Sequence, residues 1–179
     1  AKSSVAWIDR DTLLVATDWG EGSLTESGYA MIVKRWRRGT ALSSATEVMR
    51  GQTSDVGVFI GVFQDTDGSR LPVAYEANTF FETSYWRLDG ATPQQINLPA
   101  KSSIVGLFRG NLVFTLNEAW RGLAQGALAS YPVSDTGAEA PRATALFTPT
   151  ERQSVEGVAI TRDAILVAGY ENVRGRILR

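Results

Sequence analysis

The side chains that most often carry protein chemistry are imidazoles and thiols, and this 179-residue sequence contains neither His nor Cys. A Ser-His-Asp or Cys-His triad therefore cannot be assembled from it, because no imidazole is present to act as base. Zinc sites need the same two residue types almost without exception. Thiol nucleophiles, disulfides and histidine-based proton switching are excluded as well. A Ser-Lys pair is the one nucleophilic arrangement left, with only Lys2, Lys34 and Lys101 available. Lys101 precedes Ser102, but neighbours on a strand point to opposite faces. No Gly-x-Ser-x-Gly elbow occurs, since Gly20-Glu-Gly22-Ser23 and Gly22–Gly28 lack its spacing. The residues thus predict no catalytic residue, no cofactor-binding residue and no metal ligand in this chain.

Three other constellations have a chemical reading and a structural one. Asp65-Thr-Asp67-Gly-Ser69, with Glu76 further on, echoes a calcium loop. That loop needs Gly at its sixth position, where Arg70 stands, so Asp67-Gly68 reads as a hairpin turn. Lys34-Arg35-Trp36-Arg37-Arg38 interleaves basic and aromatic residues, as single-strand binders do. As a strand it splits its charges between two faces, and a net charge of −1 provides no field to steer a nucleic acid. A solvated strand is expected, with Trp36 covered by a neighbouring sheet or by aliphatic stems. Trp19, Trp86 and Trp120 fall at strand ends or loop starts, where an aromatic can contact a ligand or a partner domain, and are expected instead to pack between sheets. No phosphate loop or dinucleotide fingerprint is present.

The elements that would position these residues are short strands. About fifteen segments read as strands, with no helix among them. A first group takes Ser4–Ile8, Thr12–Asp18, Ala30–Arg37 and Thr46–Arg50. A second takes Val56–Gln64, Arg70–Thr79, Glu82–Leu88 and Gln94–Leu98. A third takes Ser103–Phe108, Asn111–Asn117, Gly126–Pro132 and Ala143–Thr148. A fourth takes Val155–Thr161, Ile165–Tyr170 and Arg176–Arg179. Turns at Arg38-Gly39, Asp67-Gly68, Asp89-Gly90 and Arg109-Gly110-Asn111 place Gly where a positive φ is cheap. Pro72 sits near a strand start, where a missing N–H is tolerated. Trp19–Tyr29 and Glu118–Gln125, the latter together with Ser134–Arg142, read as long connections between second and third strands. Such loops on a rigid scaffold are where recognition usually sits.

A strand–turn–strand phrase recurs along the chain. Its best copies are Trp7–Ala16, Leu107–Leu116 and Ala159–Ala168, and a weaker one spans Val62–Ala74. The spacing is roughly the 40–55 residues of four-stranded propeller blades. Leu13-Leu14-Val15-Ala16 and Ile165-Leu166-Val167-Ala168 are apolar on both faces, as suits a strand between stacked sheets. The Lys34–Arg37 and Glu82–Arg87 runs are more polar, as expected of outer strands. The fold class is therefore all-β, a partial β-propeller of about 3.5 to 4 four-stranded antiparallel blades. Blade-like units are expected near 4–53, 54–100, 101–153 and 154–179.

The stretches Ala1–Gly20 and Gly28–Gly39, with Phe147–Val158, resemble the propeller of the prolyl oligopeptidase family of serine peptidases. The resemblance covers essentially the whole chain and carries no catalytic signature. It implies a seven-bladed propeller capping an α/β-hydrolase domain that holds the Ser, Asp and His. The propeller then admits short peptides and keeps folded proteins out. On that footing the chain is a non-catalytic gating segment, without the remaining blades or the hydrolase domain, of a parent that cleaves after Pro. The implied partners are those missing parts and short peptides, with neither nucleic acid nor membrane. No apolar run approaches the ~20 residues of a bilayer span and no leader is visible, which favours a cytoplasmic location. The rival reading is a stand-alone peptide- or protein-binding β-repeat. The chain ends in mid-blade, which favours a segment and predicts self-association through exposed blade faces.

Overall fold

The computed structural model describes residues 2–179 and contains fifteen strands and two single 3₁₀ turns. β1 (Ser4–Trp7), β2 (Thr12–Ala16), β3 (Ile32–Arg37) and β4 (Thr46–Arg50) form the first sheet, hydrogen-bonded in chain order. β5 (Gly57–Gln64), β6 (Arg70–Ala77), β7 (Thr83–Arg87) and β8 (Gln94–Ile96) form the second. β9 (Ser102–Phe108), β10 (Asn111–Leu116), β11 (Leu128–Pro132) and β12 (Thr144–Phe147) form the third. β13 (Gln153–Ile160), β14 (Ile165–Glu171) and β15 (Arg174–Leu178) form the fourth. The architecture is a partial β-propeller of successive antiparallel meanders.

The chain divides into two compact units. One comprises residues up to Phe63 together with Arg70–Ala100, and the other comprises Gln64–Ser69 with Lys101–Arg179. In the first unit Leu14, Ala16 and Val33 of the first sheet meet Val58 and Ala74 of the second, with Leu88 just after β7, in one apolar cluster. In the other unit Val113 and Leu128 of the third sheet meet Val167 of the fourth, flanked by Phe108, Phe147 and Ile165. Each large apolar side chain buried this way contributes roughly 1.5–3 kcal/mol. The doubly apolar β2 is buried from Leu13 to Ala16. In β14 only Val167 is, because Ala168 and Tyr170 lie on an uncovered face.

The recurring phrase is a hairpin each time, closed by different turn chemistry. In the β1–β2 turn the Asp9 carboxylate accepts the backbone N–H of Asp11 (2.8 Å) and Thr12 (2.9 Å). Those amides hold the Asp9 carboxyl below its usual range. In the β9–β10 turn Arg109 and Gly110 both adopt left-handed φ, +50° and +77°. In the β13–β14 turn Thr161 Oγ1 accepts the Ala164 N–H at 3.0 Å. Gly39, Gly68 and Gly110 take the expected positive φ, whereas Gly90 does not.

Two expectations are corrected. The polar runs around Lys34–Arg37 and Thr83–Arg87 lie on β3 and β7, third in their sheets and covered on their outer side by β4 and β8. Lys34 Nζ lies over the Trp19 ring (4.4 Å), and Arg35 Nη2 donates to the Leu88 carbonyl (2.5 Å) while its Nε is buried without a hydrogen-bond partner. The stretch Ser134–Arg142 does not join second to third strand. It links β11 to β12, opens with the 3₁₀ turn Val133–Asp135, and is closed by the Arg142–Asp135 ion pair at 2.8 Å. That guanidinium holds the Asp135 carboxyl well below the usual carboxylate range.

Candidate functional site

The second unit carries an open cleft of about 750 Å³. β9 and β13 lie side by side, each at the edge of its sheet. Both carry a bulge. In β9, Ile104 pairs with Phe114 and Gly106 with Val113, so Val105 is the extra residue. In β13, Val155 pairs with Gly169 and Gly157 with Ala168, so Glu156 is the extra residue. A bulge re-aims the side chain of its unpaired residue, and both Val105 and Glu156 line the cleft.

A cross-strand contact accommodates the second bulge. The Ser154 carbonyl presses on Gly169 so closely that a Cβ there would sit 2.0 Å from the oxygen. Ser154 Oγ donates to Glu156 Oε1 at 2.7 Å and steadies the carboxylate. The rim is a tight turn in which Gln153 N–H bonds the Thr150 carbonyl (2.9 Å) and Thr150 N–H bonds Gln153 Oε1 (3.1 Å). Asn117 and Gln125, at the ends of the long β10–β11 connection, add amide donors and acceptors. Glu151 and Glu156 are the charged residues of the lining, and no Lys or Arg joins them. This arrangement offers hydrogen bonds, negative charge and the edge strands of two sheets. Its hydroxyls, Thr115, Thr150 and Ser154, belong to a chain without an imidazole or thiol.

Residues singled out from sequence are mostly held in structural contacts. Asp65, of the calcium-like stretch, accepts the backbone N–H of Thr66 (2.6 Å), Arg109 (2.8 Å) and Gly110 (2.6 Å). Burial raises its pKa and these amides lower it, with a net depression. Asp67 caps the Ser69 N–H (2.8 Å). Glu76 accepts the Trp86 indole N–H (2.7 Å) and lies beside Asp55, which accepts the Gln52 N–H (2.7 Å). Burial, reinforced by the Asp55 charge, raises the Glu76 pKa. Among the described residues no group of three or more His, Cys, Asp or Glu could hold a metal.

Trp19 packs on the core of the first unit and donates to the Ile32 carbonyl (3.2 Å). Trp86 packs on the same core. Trp120 stacks edge-on against Phe114 at 5.9 Å. The Trp36 indole N–H is buried without a hydrogen-bond partner. Ser102 is buried and Lys101 exposed. The strand pattern concealed two features, the cleft bulges of the second unit and, in the first unit, the consecutive Phe80 and Phe81. Those rings are 87% and 83% exposed on a turn where Thr79 Oγ1 accepts the N–H of Phe81 and Glu82.

No family model matches the chain. In sequence it is similar to an uncharacterized peptidase of Sinorhizobium fredii, 30% identical over 98% of this chain and 26% of the relative. In structure it is similar to a post-proline cleaving enzyme from Rickettsia typhi, with a TM-score of 0.88, 21% identity and coverage of 98% and 27% of the two chains. A solved prolyl endopeptidase shares the fold with a TM-score of 0.66, 17% identity and coverage of 97% and 25%. The chain thus spans about a quarter of the length of the proteins it matches. Among the described residues no helix is long and apolar enough to cross a membrane.

Proposed function

We propose that the chain, similar over its length to a piece of solved prolyl oligopeptidase-type enzymes, serves as the non-catalytic, access-limiting part of such a peptidase. The parent then carries its Ser, Asp and His on a separate α/β-hydrolase domain and cleaves short peptides after Pro. The observation that carries this reading is a propeller segment superposable on a post-proline cleaving enzyme, in a chain without His or Cys. A rigid β scaffold with an open, polar cleft suits passage of a peptide, and chemistry is left to another module. The blade-like units near 4–53, 54–100, 101–153 and 154–179 belong to this reading.

The test compares the pure 179-residue chain with the parent protein on fluorogenic Pro-containing peptides of increasing length. The chain alone should turn over none of them. The parent should cleave the short ones and lose kcat/KM steeply for long or folded ones. Inhibitor-sensitive cleavage by the chain alone would overturn the assignment, as would a parent indifferent to substrate size.

A further inference from the structure

We propose that the cleft of the second unit captures an extended, positively charged peptide segment, and that Glu156 is the residue that selects the charge. The inference rests on the peptide-handling reading above and adds the contact and the class of peptide.

Four observations carry it. The extra residues of two neighbouring bulges, Val105 and Glu156, both line one cleft. A bulge gives up ladder pairing, and bulges concentrate where a side chain must be re-aimed beside a functional site. The one at Glu156 is accommodated by Gly169, whose missing Cβ admits the Ser154 carbonyl. Second, β9 and β13 each stand at an end of the strand order of their sheet, so an extended peptide can add main-chain hydrogen bonds along such an edge. Third, the lining charge is Glu151 and Glu156 with no basic side chain, which favours an ammonium or a lysine and repels a carboxylate. Fourth, about 750 Å³ lies within the ligand-site range of roughly 300–1,000 Å³. Val105, partly buried against the core of the unit, adds an apolar patch to the lining, so a basic residue alternating with an aliphatic one matches it.

The test is fluorescence anisotropy of the 179-residue chain with a labelled Lys-Val-Lys-Val-Lys peptide and its Glu-Val-Glu-Val-Glu counterpart. The Lys peptide should bind in a salt-sensitive way and the Glu peptide should not. Glu156→Gln should weaken the Lys peptide about threefold, the scale of one exposed ion pair, and flatten its salt dependence. Val105→Lys should weaken it further by placing a cation in the same cleft. Glu156 is exposed, so an unchanged urea midpoint shows that Glu156→Gln acts on binding. Equal capture of both peptides, or a Glu156→Gln protein indistinguishable from the parent sequence, would overturn the proposal. The readout is binding without cleavage. A parent lacking peptidase activity would therefore sink the function proposed above and leave this result standing. An active parent whose segment captures no peptide would do the reverse.

Discussion

Asp65 is the side chain whose removal should reveal most about how the second unit is held. It is 5% exposed and accepts N–H groups from Arg109 and Gly110, 44 and 45 residues further along the chain. Both donors belong to a turn in left-handed conformation, with amides converging on the carboxylate as in an anion nest. Hydrogen bonds to a charged group contribute roughly 1.5–3 kcal/mol each. Asp65→Asn keeps one acceptor oxygen but turns an NH₂ toward the second amide, for an expected loss of about 2 kcal/mol. Asp65→Ala removes both acceptors and should cost about 4 kcal/mol. Urea unfolding with hydrogen exchange at Arg109 and Gly110 measures the effect. The folded carboxyl has a lowered pKa. Its contribution is therefore complete above the ordinary aspartate range and fades as pH falls through the depressed folded value. The gap between wild type and Asp65→Asn should close in acid. A loss under about 0.5 kcal/mol for Asp65→Ala, the level of an ordinary surface change, would refute the reasoning, as would unchanged exchange at the two amides.

Glu76 runs with the opposite sign. Its folded pKa is raised, so stability is greatest below the ordinary glutamate range and declines as pH climbs to the raised value. Glu76→Gln keeps an acceptor for the Trp86 N–H and should remove that slope and raise stability at neutral pH, as read by thermal melts across pH. Gly169→Ala forces a Cβ onto the Ser154 carbonyl and should cost about 3 kcal/mol, whereas Gly157→Ala meets nothing within 4 Å and should be nearly neutral in the same urea titration. Phe80→Ser with Phe81→Ser should leave the urea midpoint within about 0.5 kcal/mol while reducing binding of a hydrophobic dye, because both rings already face solvent.

The strand segments were legible because they are local. Trp7–Ala16 announces its hairpin with an apolar run on each side of Asp9-Arg-Asp11, and the turn bonds span four residues or fewer. Pairing of long-range partners was not legible. The Asp65–Ser69 stretch reads locally as a hairpin turn with only an echo of a calcium loop, while the partners of Asp65 lie on another hairpin. Glu76 meets Asp55 across more than a strand of sequence, with no local pattern to signal it. The Glu156 bulge depends on backbone packing against Gly169, which alternation of apolar residues does not encode. Ser134–Arg142 was grouped with the wrong connection because polar composition reports a loop without saying which strands it joins. The absence of His and Cys needed no structure, and it bears most heavily on chemistry.

The central claim is that these residues accompany a peptidase nucleophile and do not contain it. Labelling with a serine-directed fluorophosphonate, read by intact mass and peptide mapping on both the 179-residue chain and the parent protein, tests that most directly. The account predicts no adduct on the chain alone and a single adduct on the parent, at a serine outside these residues. A stoichiometric adduct on any serine between Ser3 and Ser154 would contradict it.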